Sequence, residues 1–360
     1  MRHRLAPLLA AATLFAVISC TSDDPVAPVT VPETPAPVTP ADPNLPAAGP
    51  TVVRTVIALP VRPEAVALGT GTTFFAGSSS ASTDTTNHGM IVRGDLATGI
   101  VATLVPGVRA KATSGLAYDA RANLLWATET RGGAASVYNA TTGALVQRFV
   151  FPVNPAPGNQ INDVALASSA AYFTNSFQRV IYRVAIDATG NPAPDFTTIT
   201  LNGDYVHHAS ARPFNINNNG IAVTADGRYV IVGNMGGDKG VASANCIVSP
   251  RAPADSGCVS QILRVDPATG DARLINLLGT KVYFVDGVRL DGQTLYLAQN
   301  FMDKISVFTL SADFLTATFV KNITSPNWIV PSSMFVFENS VFAVNAGFGP
   351  GPYQLSRMPK

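Results

Sequence analysis

The chain has 360 residues, a formal net charge of +1 and only 13% charged side chains. Lacking a basic cluster, it carries no electrostatic footprint for nucleic acid, and that partner class is set aside. Its 29 glycines and 27 prolines, with no long runs of Glu, Lys and Leu at helical spacing, point to strands joined by turns.

The first twenty residues place Arg2 and Arg4 ahead of an apolar run over 5–18, then Ser19-Cys20. A charged segment followed by an apolar one of this length reads as a secretory signal and is too short for a membrane span. Val17-Ile18-Ser19-Cys20 also resembles the lipobox of bacterial lipoproteins, in which the Cys is lipidated and becomes the mature N-terminus. Residues 21–50, rich in Pro, Thr, Val and Ala, suit an extended tether and cannot build a core. The expectation is a protein exported to the bacterial cell envelope, on its periplasmic or extracellular face. Its membrane contact is through the lipid on Cys20 alone.

From residue 51 onward the chain repeats itself. The clearest unit spans 215–235, where Asn219-Gly220 opens an apolar strand, Ala225-Asp226-Gly227-Arg228 turns, and a second strand ends at Asn234. Weaker copies begin near Pro63-Glu64, Ser114-Gly115, Asn162-Asp163, Asp286-Gly287 and Pro331-Ser332. Their spacing of roughly 45 to 65 residues lies in the range of propeller repeats. Second strands are predicted over 73–77, 124–128, 171–174, 229–232, 294–298 and 340–344. Third strands run into turns such as Asp95-Leu96-Ala97-Thr98-Gly99 and Asp266-Pro267-Ala268-Thr269-Gly270, which lead to outer fourth strands. The reading is an all-β, six-bladed β-propeller over 51–360 with four-stranded blades. The sixth unit ends one strand short, so the strand near 51–59 is expected to complete it and close the ring. Trp126 and Trp328 are read as packing between blades.

Cys246 and Cys258 bracket a Pro/Ser/Asp-rich loop. In an exported protein such a pair reads as a disulfide closing a surface excursion. His207-His208 falls in the loop before Asn219 and is read as a solvated pair.

In a propeller blade the start of the innermost strand and the end of the second strand meet at one mouth of the channel. The strand starts supply Glu64, Asn162, Asn219 and Asp286, with Ser114 and Ser332 from blades two and six. The second-strand ends supply Glu129, Asn175, Asn234, Asn300 and Asn345. These are hard oxygen ligands, suited to Ca²⁺ or a similar divalent ion.

The six-unit layout and the ordered series Glu64, Asn162-Asp163, Asn219-Gly220, Asp286-Gly287 resemble the senescence marker protein, regucalcin and gluconolactonase family of six-bladed propellers. The resemblance implies Glu64, Asn219 and Asp286 as ligands of an axial divalent cation, with Asn162 beside the substrate. Two positions depart from the family pattern. Glu64 is followed by Ala65-Val66 rather than Gly-Pro, and Gln160 stands where family lactonases often carry an Arg that would grip a hydroxylated or acidic substrate.

The expected activity is divalent-metal-dependent hydrolysis of a lactone or related ester. Asp286 would be the general base, and Asn162, Asn175, Asn234 and Asn300 would lie around the substrate. The competing reading is a non-catalytic, lipid-tethered propeller that binds a partner or small ligand around a structural axial calcium. A monomer is expected in either case. Gly-x-Ser-x-Gly and phosphate-binding Gly-Lys-Ser/Thr loops are both missing from the sequence.

Overall fold

The computed structural model describes residues 53–79, 88–108, 111–152, 158–207, 216–235, 259–347 and 351–360. Cys20, the tether, Cys246, Cys258 and His208 lie outside the described residues. The described chain forms six sheets, antiparallel but for one short edge strand, one for each sequence repeat, giving a six-bladed β-propeller. The inner strands are Pro63–Leu68, Leu116–Asp119, Ile161–Leu166, Asn218–Val223, Val285–Asp291 and Pro331–Phe337. From each, three strands follow outward in chain order, apart from the two variations below.

In blade six the order from the axis is Pro331–Phe337, Ser340–Asn345, Gln354–Pro359 and then Val56–Ala58. The N-terminal strand therefore pairs with the last strand of the chain, Ile57 opposite Leu355, and closes the ring. Blade four differs from the four-stranded expectation. A short strand, Asn202–Gly203, adds to its outer edge in parallel with Asp271–Leu274, giving five strands.

The turns between third and fourth strands follow from their sequences. Asp95 accepts hydrogen bonds from the Ala97 and Thr98 amides, Asn139 from those of Thr141 and Thr142, and Asp266 from that of Ala268. Gly99, Gly143 and Gly270 then take φ values of 72° to 76°, open to glycine without steric cost.

The core lies between blades. Trp126 stacks on Phe149 (centroids 6.2 Å apart) and meets Phe173 of blade three, while Phe151 stacks on Tyr182 at 4.2 Å. Trp328 packs among Tyr296, Ile305 and Met334 between blades five and six. Each blade is thus held by apolar contact with both neighbours, and the inner strands are left to face the axis.

Candidate functional site

The inner strands do not start as regular strands. In blades one, three, four, five and six the pairing with the second strand slips near the start. One extra inner-strand residue falls between Pro63 and Ala65, Ile161 and Val164, Asn218 and Ile221, Val285 and Val288, and Pro331 and Ser333. Such β-bulges re-aim side chains. Glu64, Asn162-Asp163, Asn219-Gly220, Asp286-Gly287 and Ser332 all fall inside these slips. Asn219-Gly220 is therefore part of its strand and not a turn before it, and Gly220 is needed for close approach rather than for a positive φ. A Cβ on Gly220 would stand 2.2 Å from the Asp286 carbonyl oxygen, and one on Gly287 would stand 2.6 Å from that of Ser332.

Hydroxyls fix the bulges from the neighbouring blade. Ser114 Oγ donates to the Asn162 carbonyl (2.6 Å), Thr174 Oγ1 to that of Asn219 (2.7 Å), Ser176 Oγ to that of Asn218 (2.7 Å) and Ser332 Oγ to that of Glu64 (2.8 Å). Ser114 and Ser332, read from sequence as members of the polar ring, act here on the backbone.

Asp286 is 7% exposed. Burial, and then the neighbouring Glu64 charge, push its carboxyl well above the usual range. Asp163 adds to the effect, and the Asn300 and Asn219 amides oppose it. Asn300 Nδ2 donates to Asp286 Oδ2 at 2.8 Å. Glu64 is partly accessible from the channel yet deeply surrounded by protein, and burial raises its carboxyl against the opposing Ser79 hydroxyl and Arg62 charge. Asn219 is 2% exposed, and its Oδ1 is buried with no hydrogen-bond partner among the described residues. An amide oxygen is seldom left so, because the lost solvation is not recovered.

Asn162 Nδ2 donates to Ser176 Oγ at 2.9 Å. Beside it, sequence reasoning passed over Asp163. That carboxylate accepts the Val164 and Ile221 amides at 2.8 and 3.2 Å, and its Oδ2 lies 3.6 Å from Arg289 Nη1. Burial raises its carboxyl, against the Arg289 charge and the two amide donors. An Asp163–Arg289 pair thus joins the inner strands of blades three and five, both side chains also meeting Ile221 of blade four.

The second-strand ends behave differently. Glu129 accepts from Ser136 Oγ (2.6 Å), Arg148 Nη2 (2.6 Å) and Lys111 Nζ (3.2 Å). Burial alone would raise its carboxyl, but these donors hold it below the usual range. Asn175 meets the Gln160 and Phe177 amides, Asn159 and Tyr182. Asn234 donates to the Val206 carbonyl and to Gln261, and Asn345 receives the Ile329 amide. These side chains join their own blade to its third strand or loops. The site-facing position is the residue after the last paired one of the second strand, Ser79, Ser176 and Asn300, the last already named from sequence, because side chains alternate along a strand. Of the four amides read as lying around a substrate, Asn300 alone hydrogen-bonds Asp286. His207 is half-buried and stacked near Tyr205. Among the described residues, no three or more His, Cys, Asp or Glu side chains are grouped to hold a metal ion.

This architecture defines the class of the protein as a six-bladed β-propeller with a polar, acidic channel mouth. No family model matches the sequence. No curated protein matches it significantly. Solved structures do share its fold. A Lactobacillus plantarum protein is 17% identical with a TM-score of 0.50, covering 79% of this chain and 77% of its own. The Kuenenia stuttgartiensis hydrazine synthase is 13% identical with a TM-score of 0.53, over 84% of this chain and 85% of its own. A chain of the mitotic checkpoint complex is 10% identical with a TM-score of 0.53, over 92% and 99%. Proteins so different in role show that the likeness is one of fold.

Proposed function

We propose that the polar mouth is the active site of a divalent-metal-dependent hydrolase of lactones or related esters. In this reading the chain is a distant relative of the senescence marker protein and gluconolactonase propellers. The observation that carries it is the meeting of Glu64, Asp286 and an Asn219 Oδ1 without a partner among the described residues, at one end of the channel. Two carboxylates and an amide oxygen fit a hard ion such as Ca²⁺, and Glu64, Asn219 and Asp286 would hold it. Bound there, such an ion polarises a carbonyl and lowers the pKa of a coordinated water.

The remaining chemistry falls to the chain. Asp286, oriented by Asn300 through its Oδ2, takes the proton from the attacking water. Asn162, held by Ser176, turns the substrate toward it. Asn175 and Asn234 support the wall of the site through their own blades. The test is hydrolysis of a lactone and ester panel by purified protein, with calcium or with chelator. Turnover that depends on calcium and is lost in Asp286→Ala and Glu64→Ala supports the proposal, and full turnover in either variant after chelation ends it.

One observation favours a second reading, a non-catalytic propeller with a structural calcium. Asn175 and Asn234 are occupied by their blades, and Gln160 offers no charge to a substrate. In that case calcium raises the melting temperature while no ester turns over.

We further propose export with a lipid on Cys20, residues 21–50 as tether, a Cys246–Cys258 disulfide and a monomeric propeller. Loss of a metabolic fatty-acid label in Cys20→Ala checks the anchor, and thiol titration of the denatured protein checks the disulfide.

A further inference from the structure

Beyond the bulges the inner strands become regular, and the side chains facing the axis change from polar to apolar. Their far ends surround an open cavity of about 220 Å³ at the end of the channel opposite Glu64 and Asp286. Every blade contributes apolar groups to its wall, among them Ala67, Ala117, Ala165, Ala222, Leu290 and Phe335. Among the described lining residues, Arg289 is the only charged one.

The Arg289 guanidinium is fixed before any ligand arrives. Its Nε donates to the Met334 carbonyl (2.9 Å), and Nη1 donates to those of Ile221 (3.3 Å) and Val288 (3.2 Å). These bonds leave Nη2 without an acceptor among the described residues. Asp163 is the carboxylate beside it, 3.6 Å from Nη1, beyond a close hydrogen bond and already accepting two backbone amides. The guanidinium therefore presents a rigid donor, Nη2, to a chamber of apolar side chains and backbone polar groups, its positive charge shared with Asp163. Such a chamber complements a molecule with an anionic head and a hydrocarbon body, since a charged acceptor makes the stronger bond to Arg. The volume equals that of roughly seven waters in the liquid, which admits hexanoate or phenylacetate.

We propose that this cavity binds a small monocarboxylate, its carboxylate on Arg289 Nη2 and its apolar tail against the ring of alanine and leucine side chains. No residue of the proposed metal site lies on this wall, so the two sites stand or fall separately.

Calorimetric titration of the whole protein with hexanoate, hexanamide and acetate tests it. Hexanoate is expected to bind saturably and about tenfold or more tightly than either of the other two, one lacking the charge and one the tail. Arg289→Gln should remove that preference for the acid over the amide. Ala117→Leu, which narrows the cavity from a partly exposed wall position and leaves Arg289 in place, should weaken hexanoate at least as much, with cooperative melting retained. If Arg289→Gln does not fold, Ala117→Leu and the hexanamide comparison decide the question. Equal binding of acid and amide, unchanged hexanoate affinity in Ala117→Leu, or no saturable binding would overturn the proposal. Chelator should leave hexanoate binding unchanged, which separates this outcome from the fate of the hydrolase reading.

Discussion

Glu129 and Asp286 are both buried carboxylates on the strands around the channel, and their surroundings are opposite. Glu129 lies between Arg148, Lys111 and Ser136, which hold it ionised. Asp286 has Glu64 and Asp163 as charged neighbours and only amides to oppose them. A carboxylate ringed by cations within one blade is committed to the fold. One left among carboxylates and amides at a junction of blades is held there at a cost in solvation, and a cation from solution would relieve it.

The largest effect that would break this contrast is loss of the close approach that builds the acidic mouth. Gly220→Ala puts a methyl 2.2 Å from the Asp286 carbonyl oxygen, and a backbone neighbour cannot yield as a side chain can. We expect a loss of about 4 kcal/mol in urea unfolding, or no folded protein. Next is calcium itself. At a hundredfold excess over its Kd, calcium should stabilise the wild-type protein by about 2.7 kcal/mol. Asp286→Asn should abolish that gain without destabilising the chelated protein, because it removes a charge from a repelling pair.

Glu129→Gln should do the reverse, costing about 2 kcal/mol and leaving the calcium response intact. Breaking a buried pair costs more than this, but Lys111 and Arg148 are each 36% exposed, so water screens part of the loss. The pH dependence follows from the same contacts. The Glu129 carboxyl is held below its usual 4.5 in the folded state, so the unfolded chain binds that proton more tightly. Its stabilisation is present above the unfolded value and is lost as pH falls through the folded one. Acid melting curves should show this loss in the wild type and not in Glu129→Gln. The smallest effect sharpens the boundary between framework and site. Asn175→Ala should cost about 1.5 kcal/mol in stability, with kcat/KM for any ester substrate unchanged within twofold.

The blades were legible because their signals are local. The Asp-x-x-Thr-Gly turns, the alternating second strands and the missing fourth strand of the last unit each depend on a few consecutive residues. Two predicted second strands, 294–298 and 340–344, begin where the observed Thr294–Gln299 and Ser340–Asn345 begin and end one residue short of them. The site was legible in composition and less so in facing. Asn175 and Ser176 are adjacent and both polar, and only the strand's phase sets one into its blade and the other against Asn162. Counting alternation back from Phe173 in the core would have separated them. Asp163 and Arg289 gave no pairing signal, since each meets the other only when blades three and five are brought together on either side of blade four.

The sequence by itself therefore determined the number of blades, the closing strand and the residue types offered at the channel mouth. These rest on hydrogen-bonding patterns and side-chain periods that neighbouring residues fix. The tertiary structure decided which acids are paired and which are not, where the bulges aim them, and that an arginine separates an acidic end from an apolar one. Those outcomes depend on burial and on charges brought together from different blades, which no single repeat contains.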